Sequence, residues 1–148
     1  MNRVLPPILF LLFALAMGLI CWGAGLTHHV PYPWNLLGAP LLAGGLGLAQ
    51  GSKRLFRQRR TNVNTFAKPD ILVTDGIFRY TRNPMYLGFA IAMAGLAILY
   101  QGGLSSFALV ALFVLITDRW YIRYEERMLL DAFGAAYRRY RDTTRRWL

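Results

Sequence analysis

Long uncharged apolar runs alternate along this chain with short, strongly basic polar segments. Val4–Leu26 carries no charge. A helix crossing about 30 Å of hydrocarbon needs roughly 20 mostly apolar residues, so this run predicts a transmembrane helix over about residues 4–26. Its apolar core is long for a signal peptide, and no convincing small-x-small cleavage site precedes the polar turn, so the segment is expected to be retained. A second, shorter run covers Asn35–Gln50, behind Pro31, Pro33 and Trp34, which read as a turn and an interfacial anchor. Met85–Tyr100 is a third run, closed by Gln101-Gly102-Gly103, and Leu104–Thr117 a fourth. No stop signal closes the fourth, so the helix is expected to continue past Asp118. The pattern predicts an all-α, polytopic membrane protein forming one domain over residues 1–148. It has four transmembrane helices at about residues 4–26, 35–50, 85–101 and 104–118, a loop over 51–84, and a C-terminal amphipathic helical segment over 119–148.

Two details refine this. Gly47 and Gly51 form a GxxxG pair, with Gly38, Gly44 and Gly45 nearby, and small residues let helix backbones approach closely in lipid. They do not match the GxGxxG dinucleotide fingerprint, and no strand precedes them. Downstream, Leu129, Leu130, Phe133, Tyr137 and Tyr140 recur at three- and four-residue spacing, with Arg127, Asp131, Arg138, Arg139 and Arg141 between them. This is an amphipathic stretch suited to the bilayer surface, with a break expected at Gly134.

Composition narrows the class. Of 148 residues, 55% are apolar and 16% charged, against about 25% charged in an average soluble domain. Disorder needs the opposite balance. The net charge of +10 comes from 17 Lys+Arg against 7 Asp+Glu, and a basic chain invites a nucleic-acid reading. Here the basic blocks alternate with apolar runs, which a bilayer explains and a nucleic acid does not, so no nucleic-acid partner is expected. Four crossings place all 17 Lys/Arg on one side, and the positive-inside rule makes that side, with both termini, cytoplasmic. Cys21 lies in an apolar run and reads as a small buried hydrophobe. His28 and His29 have no acid or cysteine near them in sequence, so no metal site is expected.

Two clusters hold the candidate chemistry. The segment Asn62–Leu87 mixes turn formers, aromatics and cations, with turns at Pro69-Asp70 and Asp75-Gly76. It ends in Arg82-Asn83-Pro84-Met85-Tyr86, where Pro84 fits the first turn of the third helix. The free N–H groups of that helix start suit a carboxylate or phosphate. The second cluster runs from Asp118 to Glu126. Glu125 and Glu126 diverge by about 100° on a helix, so one can face a site while the other pairs with arginine or solvent. Arginines beside a bilayer also bind lipid headgroups, at about 1 kcal/mol each.

Taken together, GIFRYTRNPMYLG, a hydrophobic helical pair, and EERMLLDAFGAAYRRYRDTTRRWL resemble the isoprenylcysteine carboxyl methyltransferase and phospholipid methyltransferase superfamily of integral membrane enzymes. The likeness covers roughly Thr61–Leu148. It rests on Gly-x-[aromatic]-Arg-[aromatic], Arg-[His/Asn]-Pro-x-Tyr-x-Gly, Glu-Glu and Phe-Gly-x-x-Tyr-x-x-Tyr, in that order. The resemblance implies methyl transfer from S-adenosylmethionine, leaving S-adenosylhomocysteine, to a lipidic or small hydrophobic acceptor at the cytoplasmic membrane surface. By position, Arg82, Asn83, Pro84, Tyr86, Leu87 and Gly88 would bind the cofactor, with Gly76, Arg79 and Tyr80 shaping the loop beside it and Gly76 and Tyr80 counted among the cofactor residues. Glu125 and Glu126 would be the paired acids of the site, serving both cofactor and catalysis. Better-known members carry His at the place of Asn83. An amide keeps a donor and an acceptor but cannot titrate.

The residue chemistry is compatible. A sulfonium favours aromatic faces and carboxylates, as on Tyr86, Tyr121, Glu125 and Glu126. The cofactor carboxylate favours Arg82 or a helix N-terminus. A carboxylate acceptor would need only orienting, by Arg79 or Arg123. An amine acceptor would need a base, Glu125 or Glu126. A thiol would need its thiolate favoured by arginine. The competing class is a non-catalytic membrane protein whose basic loop and tail bind anionic lipid or a partner. It accounts for the charge but not for an Arg-Asn-Pro-x-Tyr corner followed at this distance by twin acids.

Overall fold

A computed structural model describes residues 5–23, 29–59 and 70–148. The Pro69 end of one predicted turn, His28, and both limits of the first predicted helix lie outside the described residues. Helix α1, Pro6–Gly18, begins with proline in its first turn, where a missing N–H costs nothing, and runs on through a π-helical turn, Leu19–Gly23. A 3₁₀ turn, Trp34–Leu37, leads into α2, Gly38–Gln58. A second 3₁₀ turn, Gly76–Arg79, precedes α3, Pro84–Leu99. Helix α4, Leu104–Ile116, continues through a π-helical turn, Thr117–Ile122, into α5, Arg123–Thr143. The described residues are helical or irregular, with no strand.

Among the described residues, two helices are long and apolar enough to cross a membrane: Pro6–Gly23 and the continuous Leu104–Thr143. Helix α3 is apolar but has 16 residues. Helix α2 is longer than its apolar run, because Gly51–Gln58, predicted as loop, is helical. Nothing in that stretch breaks a helix except Gly51, and one glycine costs only about 1 kcal/mol. Continuation of the fourth helix past Asp118 and the break at Gly134 (φ 50°, ψ −115°) are both present.

The GxxxG expectation is corrected. A Cβ on Gly44, Gly47 or Gly51 would meet nothing within 4 Å. The tight contact with α3 is made by Gly38 and Gly45. A Cβ on Gly45 would lie 2.5 Å from the Gly88 carbonyl oxygen and the Ala92 nitrogen. The α3 side is equally bare, since a Cβ on Gly88 would stand 2.5 Å from the Gly45 oxygen and one on Gly95 2.5 Å from the Leu42 nitrogen. Gly38, Gly45, Ala49 and Ser52 are the buried residues of α2, so their seven-, four- and three-residue spacing is the face that decides which glycines pack.

Helix α1 closes the other side of α3 and α4. Phe10 stacks on Phe89 at 5.3 Å, and Phe13 meets Phe113 edge-on at 5.6 Å. Cys21 is buried there, its Sγ 3.0 Å from the Ser106 hydroxyl. The outer face of α1 and its π-helical turn presents Leu11, Leu12, Leu15 and Leu19, with Leu11 64% exposed. A helix apolar on every side needs an apolar surrounding on its outer face. Polar side chains concentrate instead at the far end of the bundle, where the 70–83 segment, the π-helical turn of α4–α5 and the last residues converge.

Candidate functional site: the Arg82–Tyr86 corner and the twin acids

The loop before α3 is shaped from below. Gly76 has φ +59°, a left-handed value glycine adopts without strain, and it starts the turn that buries Phe78 among Val73, Leu55, Phe56, Tyr137 and Tyr140. The Tyr140 hydroxyl donates to the Phe78 carbonyl at 2.7 Å, which pins the loop to α5. Tyr80 follows and points outward, 77% exposed. Thr81, Asn83, Pro84 and Tyr86 are buried. The Thr81 hydroxyl accepts the Asn83 N–H at 3.2 Å, a local side-chain bond that bends the chain into the helix start. Asn83 sits at the N-cap position without capping through its side chain.

Both acids reach this corner, by different faces of α5. The Tyr86 hydroxyl donates to Glu125 Oε1 at 2.7 Å. Arg82 Nη2 lies 3.3 Å from Glu126 Oε1. Tyr86 and Tyr121 ring centroids stand 6.3 Å apart. The π-helical turn contributes as well. Such a turn adds a residue and resets helical register, often at functional sites, and here it brings Asp118 and Tyr121 to the same side as the acids.

Residues the sequence reading did not single out complete the site. The C-terminal residues after α5 lie along the corner. The Arg82 N–H donates to the Arg145 carbonyl at 2.9 Å, while Thr81 Oγ1 and Asn83 Nδ2 donate to the Arg146 carbonyl at 3.2 and 3.0 Å. The Arg146 guanidinium forks onto Glu126, with Nε–Oε1 3.1 Å and Nη2–Oε2 2.5 Å, and its Nη1 donates to both Asp118 oxygens at 3.2 and 3.3 Å. Trp147 Nε1 donates to Asp118 Oδ1 at 2.9 Å, and its ring packs against Tyr86, Tyr121 and Ile122. Arg146 therefore ties the corner to Glu126 and Asp118, with Trp147 beside it on Asp118. One arginine among the eight after Asp118 carries no sequence signal for this position.

The electrostatics are self-contained, with Arg82 and Arg146 set against Asp118 and Glu126. Burial alone would lower the Arg146 pKa, but hydrogen bonds and charge from Glu126 and Asp118 outweigh it and raise it. Burial raises the Tyr137 phenol, helped by Glu126 and opposed by Arg82. The same cause raises Tyr140 strongly. Arg82 has a side chain only 10% exposed, and among the described residues its Nε and Nη1 are buried without an acceptor. Buried donors left unsatisfied cost about 1–3 kcal/mol each, and the Tyr137 hydroxyl is the neighbouring group that hydrogen-bonds to this guanidinium.

Not every predicted site residue comes to the corner. Gly88 lies in the α2–α3 contact, Leu87 is half-buried one turn along α3, and Gly76 and Tyr80 shape or flank the loop. Arg123 is exposed and lines, with Glu126, a cleft of about 200 Å³ beside the site.

The sequence pattern of the phospholipid methyltransferase family matches residues 34–136. The chain belongs to the phospholipid methyltransferase family. Within this family assignment, two curated relatives are informative. A protein-S-isoprenylcysteine O-methyltransferase of Schizosaccharomyces pombe is 39% identical over 77 residues, which are 50% of this chain and 31% of the relative. A methanethiol S-methyltransferase of Bradyrhizobium diazoefficiens is 32% identical over 76 residues, 51% of this chain and 25% of the relative. The matches thus span about a third and a quarter of those proteins' lengths. No solved structure matches the chain.

Proposed function

We propose that this family member is a membrane methyltransferase that takes its methyl group from S-adenosylmethionine and passes it to a lipidic or small hydrophobic acceptor. The observation that carries this reading is the meeting of the Arg82–Tyr86 corner with Glu125 and Glu126. The names of the two relatives differ in the accepting atom, oxygen in one and sulfur in the other. Methyl transfer is what they share, which supports the reaction class and leaves the acceptor open.

The residues present fit the donor. Arg82, with two guanidinium nitrogens buried without an acceptor, would hold the carboxylate, and Glu126 the amino end. Tyr86 and Trp147 offer aromatic faces, which attract a cation. When bound, S-adenosylmethionine supplies a methyl group activated by its sulfonium. The chain's own part is alignment, since in-line transfer depends on the distance and angle between acceptor, methyl and sulfur. Asn83 cannot move a proton and serves as a hydrogen-bonding group. Glu125, fixed by the Tyr86 hydroxyl, is the base for an amine acceptor, whereas a carboxylate acceptor needs only orienting, by Arg123. To admit a nucleoside-sized donor here, the Arg146 and Trp147 side chains would have to move off Glu126 and Asp118.

The same reading places α1, α2, α3 and α4 across the bilayer as one domain. At 1.5 Å per residue the 16 residues of α3 extend about 24 Å, and α2 exceeds that length only by including its basic Gly51–Gln58 stretch. Both termini and the 51–84 segment then share the cytoplasmic side. Calorimetry on detergent-solubilised protein tests the site. S-adenosylhomocysteine should bind at micromolar concentration, and Arg82→Ala and Glu126→Gln should each weaken it at least tenfold while the protein stays folded. Unchanged affinity in both variants would remove the residue assignments.

A further inference from the structure

Glu126 stands where an amino-acid end is best received, but a cation of the chain itself already holds it. The ammonium and carboxylate of an α-amino acid share one carbon, so they need an anionic and a cationic side chain next to each other. Arg82 Nη2, 3.3 Å from Glu126 Oε1, makes that pair. The Arg146 guanidinium forks onto the same Glu126, with Nε–Oε1 3.1 Å and Nη2–Oε2 2.5 Å. Its remaining nitrogen, Nη1, reaches both oxygens of Asp118, at 3.2 and 3.3 Å. One guanidinium is thus divided between two acids. We propose that Arg146 is a displaceable stand-in for the donor's ammonium group, and that Asp118 is the positioning residue that takes over its guanidinium when Glu126 is released. The inference rests on the donor reading of the site and deepens it.

Charge explains why a second acid is needed. The Asp118 and Glu126 side chains are 20% and 17% exposed, and that of Arg146 31%. Parting a partly buried ion pair is costly mainly because it leaves a charge uncompensated. With Asp118 in place, Arg146 gives up Glu126 without losing its last partner, and Glu126 exchanges one cation for another. Asp118 has the capacity for this. Its Oδ1 also accepts from Trp147 Nε1, a neutral donor, at 2.9 Å. When the indole leaves, both carboxylate oxygens are open to a full guanidinium fork, a stronger bond than the neutral one it replaces. The other cation near Asp118, Arg119, stands 3.7 Å away with its side chain 63% exposed, and competes little. The tail backbone stays in place, since the Arg82 N–H holds the Arg145 carbonyl, and Thr81 and Asn83 hold that of Arg146. The exchange is a rotation of two side chains.

S-adenosylhomocysteine, titrated calorimetrically into the full chain in detergent, tests this. The probe keeps the amino and carboxyl groups and lacks the sulfonium, so it reports on this end of the site. Arg146→Gln removes the stand-in and should bind the probe severalfold more tightly than the parent, although the variant is less stable. Asp118→Asn takes away the second seat and should bind at least tenfold more weakly. In Asp118→Asn/Arg146→Gln that loss should vanish, because Asp118 acts only through Arg146. Asp118→Glu, which keeps the acid, should recover most of the affinity. The parent chain carries a signature of its own, whether or not the Asp118 variants fold. Its Trp147 indole N–H resonance, assigned by its absence from Trp147→Phe, should move upfield on adding the probe, as the carboxylate acceptor is lost. Weaker binding by Arg146→Gln would make Arg146 a donor contact, and an equal loss from Asp118→Asn in both backgrounds would make Asp118 one. Either result overturns the proposal and leaves the methyltransferase reading standing, as would an unmoved Trp147 resonance in a chain that binds the probe. If the parent does not bind the probe at all, the donor reading fails and the proposal with it.

Discussion

Arg146 joins the most separated parts of the site. Its carbonyl accepts from Thr81 and Asn83, and its guanidinium bridges Glu126 and Asp118. Truncation leaves two partly buried carboxylates short of a partner, which costs more than the pair itself contributes. With both acids still partly exposed, Arg146→Ala should lower stability by about 2 kcal/mol, measured by denaturation in detergent, and Arg146→Lys should recover part of it. Tyr140 makes a pH-dependent contribution. Burial holds its phenol well above the ordinary value of 10.0. Above about pH 10 the unfolded chain releases this proton and the folded chain keeps it. The native state then binds more protons, so stability falls as pH rises. Tyr140→Phe should flatten that alkaline loss and, by removing the bond to the Phe78 carbonyl, cost about 1 kcal/mol at neutral pH. Unfolding curves from pH 8 to 11 report both effects.

Among the elements, the α2–α3 contact is the most demanding. Its atoms are backbone on both sides, so a side chain there has no flexible neighbour to displace. Gly45→Val should part the two helices, lowering stability by more than about 2 kcal/mol and disturbing the start of α3 that carries Tyr86. Gly47→Ala, on the open face, should be neutral or stabilising by up to about 1 kcal/mol, since alanine holds a helix better than glycine. Thermal unfolding of the two variants side by side separates the faces, and equal damage from both would contradict the packing. The 51–58 stretch teaches a related lesson. Its basic residues read as loop because they interrupt apolarity, yet the backbone has no reason to leave the helix, and Leu55 and Phe56 are needed under the loop against Phe78.

Across the whole molecule, apolar surface and charge segregate to different ends, and a bilayer orients both. Leu104, at the turn between α3 and α4, is 83% exposed. In a Cys21→Ser background, Leu104→Cys should react with a membrane-impermeant maleimide from the non-cytoplasmic side of sealed vesicles, and labelling only from the cytoplasmic side would refute the four-crossing topology. Hydrophobic run length, charge placement and Pro84 made the apolar helices and the start of α3 legible in the linear chain, and Gly134 the break in α5, because these follow from local composition, whereas the pairing of corner with twin acids was legible only through the resemblance to a known family. Tertiary contact alone decided which glycines meet, since GxxxG spacing does not say which face of α2 meets α3. It also decided that the last residues fold back to place Arg146 and Trp147 against Asp118, because eight similar arginines differ only in what the folded chain brings beside them. Local preference is written residue by residue, whereas a neighbour 20 or 65 positions away exists only once the helices have packed.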